Sequence, residues 1–132
     1  MTVPLFSYAK PRRMLMAFEQ LKPGTLLCPV PAVMVSCASE KEKPNVITIA
    51  WAGVINSDPP MVSVSIRPER HSYSQIVQSG VFCLNLIGRD LCKATDYCGV
   101  KSGRDVDKFA DKSYPRSENG LYYLPQYANA VI

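Results

Sequence analysis

Two arginines and a serine stand where a strand-like segment runs into a helix-like segment. Arg67 closes the strand pattern, and Arg70 and Ser72 precede the helical run Ser-Gln-Ile-Val-Gln-Ser. Ser72 and Gln75 have the spacing of a capping box, which predicts a helix N-cap at Ser72. A helix N-terminus with free backbone N–H groups, a hydroxyl and two guanidinium groups suits a phosphate. The alternative is a capped surface helix with solvated arginines.

The elements that must position these side chains lie between residues 45 and 73. β-Branched residues mixed with small ones predict a strand over residues 46–55, with room beside it for something flat. Asn, Ser and Asp followed by two prolines predict a sharp turn at residues 56–60. From Met61 the sequence alternates as in a half-buried strand. Its apolar positions are Val62, Val64 and Ile66, and its polar positions are Ser63, Ser65 and Arg67.

Shorter patterns predict the flanking elements. They are a strand over 26–39, a charged turn over 39–44, a helix over 72–79 stopped by Gly80, a buried strand over 81–87 and a helix over 89–98 stopped by Gly99. Asn85 interrupts the buried strand, and its amide either bonds a neighbouring backbone or faces a ligand.

The charged segment at residues 101–109 predicts a polar loop that enters a short helix. Asp105 is placed to cap that helix, and Lys108 can reach from it to an anion or a carbonyl. Elsewhere, a turn is predicted at residues 117–120, and the apolar run at residues 14–18 fits either a strand or a turn of helix.

The composition is that of one globular domain. The chain has 132 residues, of which 47% are hydrophobic and 20% charged. The net charge of +4 is mild, and acidic residues interrupt the basic ones, so the sequence has no basic stripe for nucleic acid. We therefore expect a single domain over residues 1–132 that does not bind nucleic acid.

The five cysteines form no Cys-x-x-Cys pair, which argues against a disulfide framework and against a zinc ribbon. They predict thiols in a reducing compartment. His71 is the one histidine, and beside Arg70 it is poorly placed as a general base. We predict no metal site and no catalytic acid or base.

The run after Arg12 and Arg13 is too short and polar for a leader peptide, and no apolar stretch would span a membrane. The expected location is the cytoplasm, with no membrane contact.

Three ordered blocks of the sequence resemble the flavin reductase-like family. They read NVITIAWAGVINSDPPMVSVSIRPERHSYSQI, SGVFCLNL and DYCGVKSGRDVDKF, and the resemblance covers residues 27–109. This family comprises FMN-binding split β-barrel proteins that include flavoredoxins. The resemblance implies a mainly β fold with short helices, arranged as a split β-barrel. Family members usually continue with further barrel strands, so it also implies a C-terminally short chain. The alternatives are a truncated relative that lacks some of these strands and a barrel that is completed by other means.

The resemblance also implies which residues hold a flavin. It places the central strand alongside the ring, the helix entrance at the phosphate or ribityl chain, and the next strand and later loop at further contacts. For Trp51, a place in the core is the alternative. The implied cofactor-binding residues are Asn45, Thr48, Ala50, Trp51, Arg67, Arg70, Ser72, Tyr73, Asn85, Ser102, Asp105 and Lys108.

The implied activity is that of an FMN-binding oxidoreductase, with FAD as the alternative cofactor. It would take hydride from NAD(P)H and pass electrons to a flavin, an iron complex or a protein acceptor. Because the sequence has no Gly-x-Gly-x-x-Gly, we expect NAD(P)H to bind transiently over the flavin. A homodimer with a redox-protein partner is the expected assembly. The alternatives are a flavoredoxin-type electron carrier or flavin-binding module without its own NAD(P)H turnover, and a non-flavin interaction protein.

Overall fold

Two antiparallel sheets and two short helices make up the described structure. The computed structural model describes residues 20–110 and the backbone of residues 128–131. The elements are β1 (Val33–Cys37), β2 (Asn45–Ile49), β3 (Ala52–Ser57), β4 (Pro60–Val64), α1 (His71–Ser79), β5 (Cys83–Ile87), α2 (Cys92–Val100) and β6 (Ala128–Val131). A short 3-10 turn, Arg89–Leu91, leads into α2.

Strand β1 lies in the middle of the larger sheet, whose order is β2-β1-β5-β6. It pairs antiparallel with β2, from Val33 opposite Ile49 to Cys37 opposite Asn45, and also with β5. All five residues of β1 are buried. A strand covered on both faces needs apolar side chains on both, which explains why its sequence is nearly continuous in apolar residues.

Alternate residues of β1 face two separate cores. Met34 packs on one side with Val46 and with Leu91 and Cys98 from the α2 region. Val33 and Val35 pack on the other side, where the partly buried apolar residues of β4 and α1 cover them. The period-2 side-chain direction of a strand thus places the helix α2 and the second sheet on opposite faces of the larger sheet.

The strand predicted over residues 46–55 is wrong as a single element, because it is divided between the two sheets. β2 ends at Ile49, and β3 begins at Ala52 as one half of a two-stranded sheet with β4. Ala50 and Trp51 are exposed at the change of sheet, and the Trp51 carbonyl accepts a hydrogen bond from the Ser65 N–H at 2.9 Å. A pattern of β-branched residues does not reveal such a break, since both halves remain extended.

The hairpin of β3 and β4 confirms the predicted turn and the predicted alternation. The strands pair from Ala52 opposite Val64 to Ser57 opposite Pro60, and the side chain of Asn56 donates to the Asp58 carbonyl at 2.8 Å. Residues 62, 64 and 66 are half-buried, whereas residues 63, 65 and 67 are exposed. The polar face therefore points away from the core as the sequence predicts.

Helix α1 begins one residue earlier than predicted, and its capping box is wrong. The N-cap position is Arg70, with no side-chain cap. The Ser72 hydroxyl accepts a hydrogen bond from the Asn45 amide at 2.8 Å, and the Gln75 amide donates to the Lys43 carbonyl at 2.8 Å. Both side chains are fully buried, because they hold the helix against the start of β2 instead of closing its own first turn. The predicted stop at Gly80 is confirmed by its left-handed backbone, with φ of 71°.

Helix α2 runs to Val100, so the predicted stop at Gly99 is wrong. Gly99 lies inside the helix, where a Cβ atom would sit 3.4 Å from Cβ of Thr48. The glycine therefore allows α2 to approach β2 closely. The short helix predicted after residue 101 is also wrong, since turns occupy that segment and the Asp105 N–H donates to the Ser102 carbonyl at 3.2 Å.

The run at residues 14–18 and the turn at residues 117–120 lie outside the described residues. Within the described ranges, none of the helices has the length and apolar character needed to cross a bilayer.

Asn85 ties β5 to β1 inside the larger sheet. Its side-chain amide donates to the Met34 carbonyl at 3.0 Å, to the Ser36 hydroxyl at 3.1 Å and to the Cys83 carbonyl at 3.4 Å. The residue is fully buried. Of the two alternatives for this amide, the structure shows the bond to neighbouring backbone.

Replacing Asn85 with Ala is expected to lower the free energy of unfolding by about 1–3 kcal/mol, because buried acceptors lose their donor. Urea denaturation followed by circular dichroism measures the loss. Gln78→Ala, which removes an exposed amide from α1, is the matched control and should stay within about 0.5 kcal/mol of the parent. Equal losses in the two variants would contradict a structural role for Asn85.

Candidate ligand-binding clefts

Two adjoining clefts lie along β2. The first, here called the strand cleft, has a volume of about 240 Å³ and lies between β2, the segment after it and the end of β4. The second, here called the loop cleft, has a volume of about 170 Å³ and lies between α1, α2 and the loop that follows α2. They share Ile47, Arg70 and Gly99. Each is smaller than the roughly 300–1,000 Å³ of a typical ligand pocket, but one ligand can extend through both.

The strand cleft combines small and flat surfaces with hydrogen-bonding groups. Backbone from Ile47 to Trp51 forms one side, and Ser65 to Arg67 form the other. The Trp51 side chain is 49% exposed, so it is not a core residue and its ring is available at the cleft. Thr48 donates its hydroxyl hydrogen to the Thr95 carbonyl at 2.6 Å, which leaves oxygen lone pairs for a donor. A planar, hydrogen-bonding group fits such a surface.

The loop cleft is strongly basic. Among the residues that line the two clefts, five carry Arg or Lys side chains and one carries a carboxylate. The carboxylate is Glu69, which lies 3.7 Å from Arg67 in an exposed ion pair of the kind that contributes little stability. The five basic residues are Arg67, Arg70, Lys101, Arg104 and Lys108. This excess of positive charge favours an anionic ligand, above all a phosphate.

Lys108 fastens the loop to the cleft floor. Its ammonium donates to the Val46 carbonyl at 2.7 Å and to the Cys98 carbonyl at 3.0 Å, so the predicted reach to a carbonyl is confirmed. Burial lowers the pKa of Lys108, and the nearby charge of Arg70 acts in the same direction. An anion in the loop cleft would favour the charged ammonium and reverse the lowering.

Asn45 and Ser72 form the buried junction between the clefts and the core. The two side chains are hydrogen-bonded to each other, and Asn45 is 3% exposed while Ser72 is fully buried. The loop after α2 closes over this junction at Gly103, where a Cβ atom would lie 2.6 Å from Cδ2 of His71 and closer still to the Asn45 amide. Only a residue without a side chain allows the loop to pass so near.

The structure brings most of the predicted cofactor-binding residues to the two clefts and leaves three away from them. Tyr73 is exposed on α1, Asp105 is exposed in a turn, and Asn85 is inside the sheet. None of these three lines either cleft. The residues brought together are Asn45, Thr48, Ala50, Trp51, Arg67, Arg70, Ser72, Ser102 and Lys108.

Sequence reasoning missed several cleft residues. Ser65 shares the polar face of Arg67, so the alternation in β4 could have identified it. Arg104 donates to the Glu69 carbonyl at 3.0 Å across the entrance of α1, and only the folded loop reveals that contact. Gly99 is predicted only as a helix stop, whereas in the structure it also allows close approach at a cleft.

Metal-binding groups are not assembled in the part of the chain that the structure describes, where no cluster of three His, Cys, Asp or Glu residues could hold an ion. All five cysteines lie in this part and none forms a disulfide, and Cys37, Cys83 and Cys98 are buried. Burial raises the pKa of Cys37 and of Cys83, and a hydroxyl hydrogen bond partly opposes the change in each. Both thiols therefore stay protonated near neutral pH.

Known proteins resemble this chain in sequence and in structure. The family model described as the flavin reductase like domain matches residues 25–132. A curated relative, the high molecular weight rubredoxin of Moorella thermoacetica, is 35% identical over 79 residues, which are 59% of this chain and 34% of that protein. The flavoredoxin of Desulfovibrio vulgaris (Miyazaki F) has a TM-score of 0.72 at 31% identity, over 80% of this chain and 60% of that one.

A third similar protein, the FMN-binding protein from Thermus thermophilus with bound p-hydroxybenzaldehyde, has a TM-score of 0.71 at 24% identity. This match covers 82% of the present chain and 61% of the Thermus chain. The chain thus spans about a third of the curated relative and about three-fifths of the two solved structures. The predicted fold class, mainly β with short helices in the split-barrel manner, is confirmed, although the described strands form two open sheets.

Gly103→Ala is expected to lower the free energy of unfolding by about 1–3 kcal/mol, since the new methyl group would overlap Asn45 and His71. Urea denaturation measures the change. Gly88→Ala is the control, because nothing lies within 4 Å of a Cβ at that position and its φ of −89° suits any residue. It should remain within about 1 kcal/mol of the parent. A Gly103 variant as stable as the Gly88 variant would show that the loop does not need this approach.

Proposed function

The chain belongs to the flavin reductase-like domain family, and from this membership we propose that it is an FMN-binding oxidoreductase. It takes hydride from NADH or NADPH and passes electrons to a flavin, an iron complex or a protein acceptor. The observation that carries the proposal is that the two clefts adjoin and share Ile47, Arg70 and Gly99, because a planar ring and a phosphate on one ligand need a flat slot beside a basic one.

The donor set of the clefts fits FMN. Arg70 and the basic residues of the loop cleft bind the phosphate beside the first turn of α1, whose His71 and Ser72 line the same cleft. Thr48, Ser65 and backbone from Ile47 to Trp51 meet the ring edge in the strand cleft. FMN, when bound, supplies a ring that accepts hydride and releases electrons.

The protein's own residues orient the reaction and do not transfer protons in this proposal. Trp51 and Ile66 provide apolar surface that excludes water from one side of the strand cleft. The other side opens to solvent and admits the nicotinamide, which binds transiently because the chain has no Gly-x-Gly-x-x-Gly. Neither Arg67 nor His71 is assigned as an acid or base, since hydride transfer needs none.

A second candidate function is electron carriage without NAD(P)H turnover. The names of two relatives favour it, since one is a flavoredoxin and the other is a rubredoxin. A small electron-carrying domain that meets an iron protein would use the same clefts. The choice between the two candidates depends on whether reduced nicotinamide delivers electrons directly.

Assembly and location form part of the same proposal. We propose a homodimer, which the apolar exposure of the β3–β4 hairpin supports, since Val54 is 80% and Ile55 is 61% exposed. The lack of a disulfide among the five cysteines, all of which the structure describes, supports a reducing compartment, here the cytoplasm.

After incubation with FMN and desalting, the protein is expected to keep flavin absorption bands, and anaerobic NADH or NADPH should bleach them. Visible absorption spectroscopy records both steps. Bands that persist after either nicotinamide would instead support the carrier. A colourless protein after desalting would overturn flavin binding and leave a non-flavin interaction protein.

Arg67→Ala is expected to raise the Kd for FMN about tenfold or more, because a charge-assisted contact in the strand cleft, which Arg67 lines together with Arg70, is lost. Quenching of FMN fluorescence measures the Kd. The midpoint of urea unfolding should not change, since Arg67 is exposed. Arg89→Ala, at an exposed arginine that lines neither cleft, should bind FMN as the parent does. Equal affinities for all three proteins would remove Arg67 from the site.

A further inference from the structure

The wall of the loop cleft contains an imidazole that the proposed function leaves without a role. His71 is the single histidine of the chain and lines this cleft at the start of α1. Its Nε2 atom lies 3.8 Å from a carboxylate oxygen of Glu42 and 3.3 Å from the amide nitrogen of Gln75. A titratable group therefore lies between an anion-favouring cleft and a negative charge.

Gln75 fixes the orientation of this group of side chains. Its amide oxygen accepts the Cys37 thiol hydrogen at 3.3 Å, so its nitrogen must face the opposite way. That nitrogen donates to the Lys43 carbonyl at 2.8 Å and to the Glu42 carboxylate at 3.1 Å. Because Gln75 is fully buried, the amide cannot turn without losing several hydrogen bonds at once. Glu42 is thus held beside the imidazole.

The arrangement accommodates both charge states of His71. A neutral imidazole can accept a share of an N–H from Gln75 through Nε2, whereas a protonated one faces the carboxylate of Glu42. When His71 is neutral, the pair of His71 and Glu42 carries one negative charge beside the cleft. With protonated His71, it carries none, and imidazole changes state between about pH 5 and 8.

Other charged and titratable groups also lie around the imidazole. Burial keeps the Cys37 thiol protonated, and Lys43 from the same connection as Glu42 pairs with Asp107 at 3.1 Å and points to solvent. The remaining such groups that line the loop cleft are Glu69, Arg70, Cys98, Lys101, Arg104 and Lys108. The parent and the variant His71→Gln share all of these groups, so a difference between the two proteins reports on His71.

We propose that His71 is a further anion-binding residue of the loop cleft, whose protonation, opposite Glu42, tightens binding of the ligand phosphate. The inference rests on the proposed function, because the phosphate is that of FMN. By linkage, protonation of an imidazole at this position raises the affinity for a phosphate-bearing flavin as pH falls from about 8 to about 5.

The test compares FMN affinity at about pH 8 and about pH 5.5 in the parent chain and in His71→Gln. The phosphate of FMN itself titrates near pH 6, but this contribution is common to both proteins and cancels in the comparison. For each protein, the Kd for FMN at the higher pH is divided by the Kd at the lower pH. This ratio is expected to be about threefold to tenfold larger in the parent than in His71→Gln. Riboflavin, which lacks the phosphate, should show no such difference between the proteins.

Glu42→Gln provides a second variant with an effect of opposite sign. It keeps an oxygen that can accept the hydrogen bond from Gln75 but removes the negative charge beside the cleft. It is therefore expected to bind FMN more tightly than the parent at about pH 8, by about threefold. A damaged fold would weaken binding, so the sign separates an electrostatic effect from a structural one.

Equal Kd ratios for FMN in the parent and His71→Gln would overturn the inference while leaving the proposed function intact. The same difference between proteins with riboflavin would also overturn it, because the effect would then not involve the phosphate. A parent protein that binds neither flavin at either pH would overturn the proposed function and this inference together.

Discussion

The hydrogen bond between Asn45 and Ser72 holds together the parts on which the clefts depend. It joins the first residue of β2 to the first turn of α1, and both partners are buried. Buried polar groups of this kind are costly to leave unpaired, so the helix cannot shift along the strand without a penalty. Gln75 adds a second link one helical turn later. The position of Arg70, and with it the boundary between the two clefts, follows from these contacts.

Close approach of backbone segments completes the basic cleft. Gly99 allows α2 to lie on Thr48, and Gly103 allows the following loop to lie on the Asn45 junction. Lys108 then fixes the far end of the loop to backbone carbonyls of β2 and α2. Charge is thereby concentrated on a rigid frame, which suits recognition of a phosphate better than flexible lysines on an open surface would.

Local patterns predicted the parts of this structure whose causes are local. The alternation of β4, the turn before it and the stop at Gly80 depend on neighbouring residues, and all were predicted. The break after Ile49 and the loss of the capping box have distant causes. The chain changes sheet after Ile49, and the two capping-box side chains bond to Asn45 at the start of β2 and to Lys43 just before it. Family resemblance supplied nine of the cleft residues, but it could not place Arg104 or assign His71, because their contacts exist only in the fold.

Trp51 has a further consequence for the study of this protein. It is the only tryptophan in the chain, and it lies half-exposed on the wall of the strand cleft. Its intrinsic emission therefore originates from one place, with no second indole to subtract. A ring that enters the cleft would lie close enough to receive its excitation energy. Occupancy of the cleft and loss of the fold would thus change this fluorescence in different ways. Occupancy would lower its intensity without a red shift, whereas unfolding would shift the emission maximum towards that of indole in water.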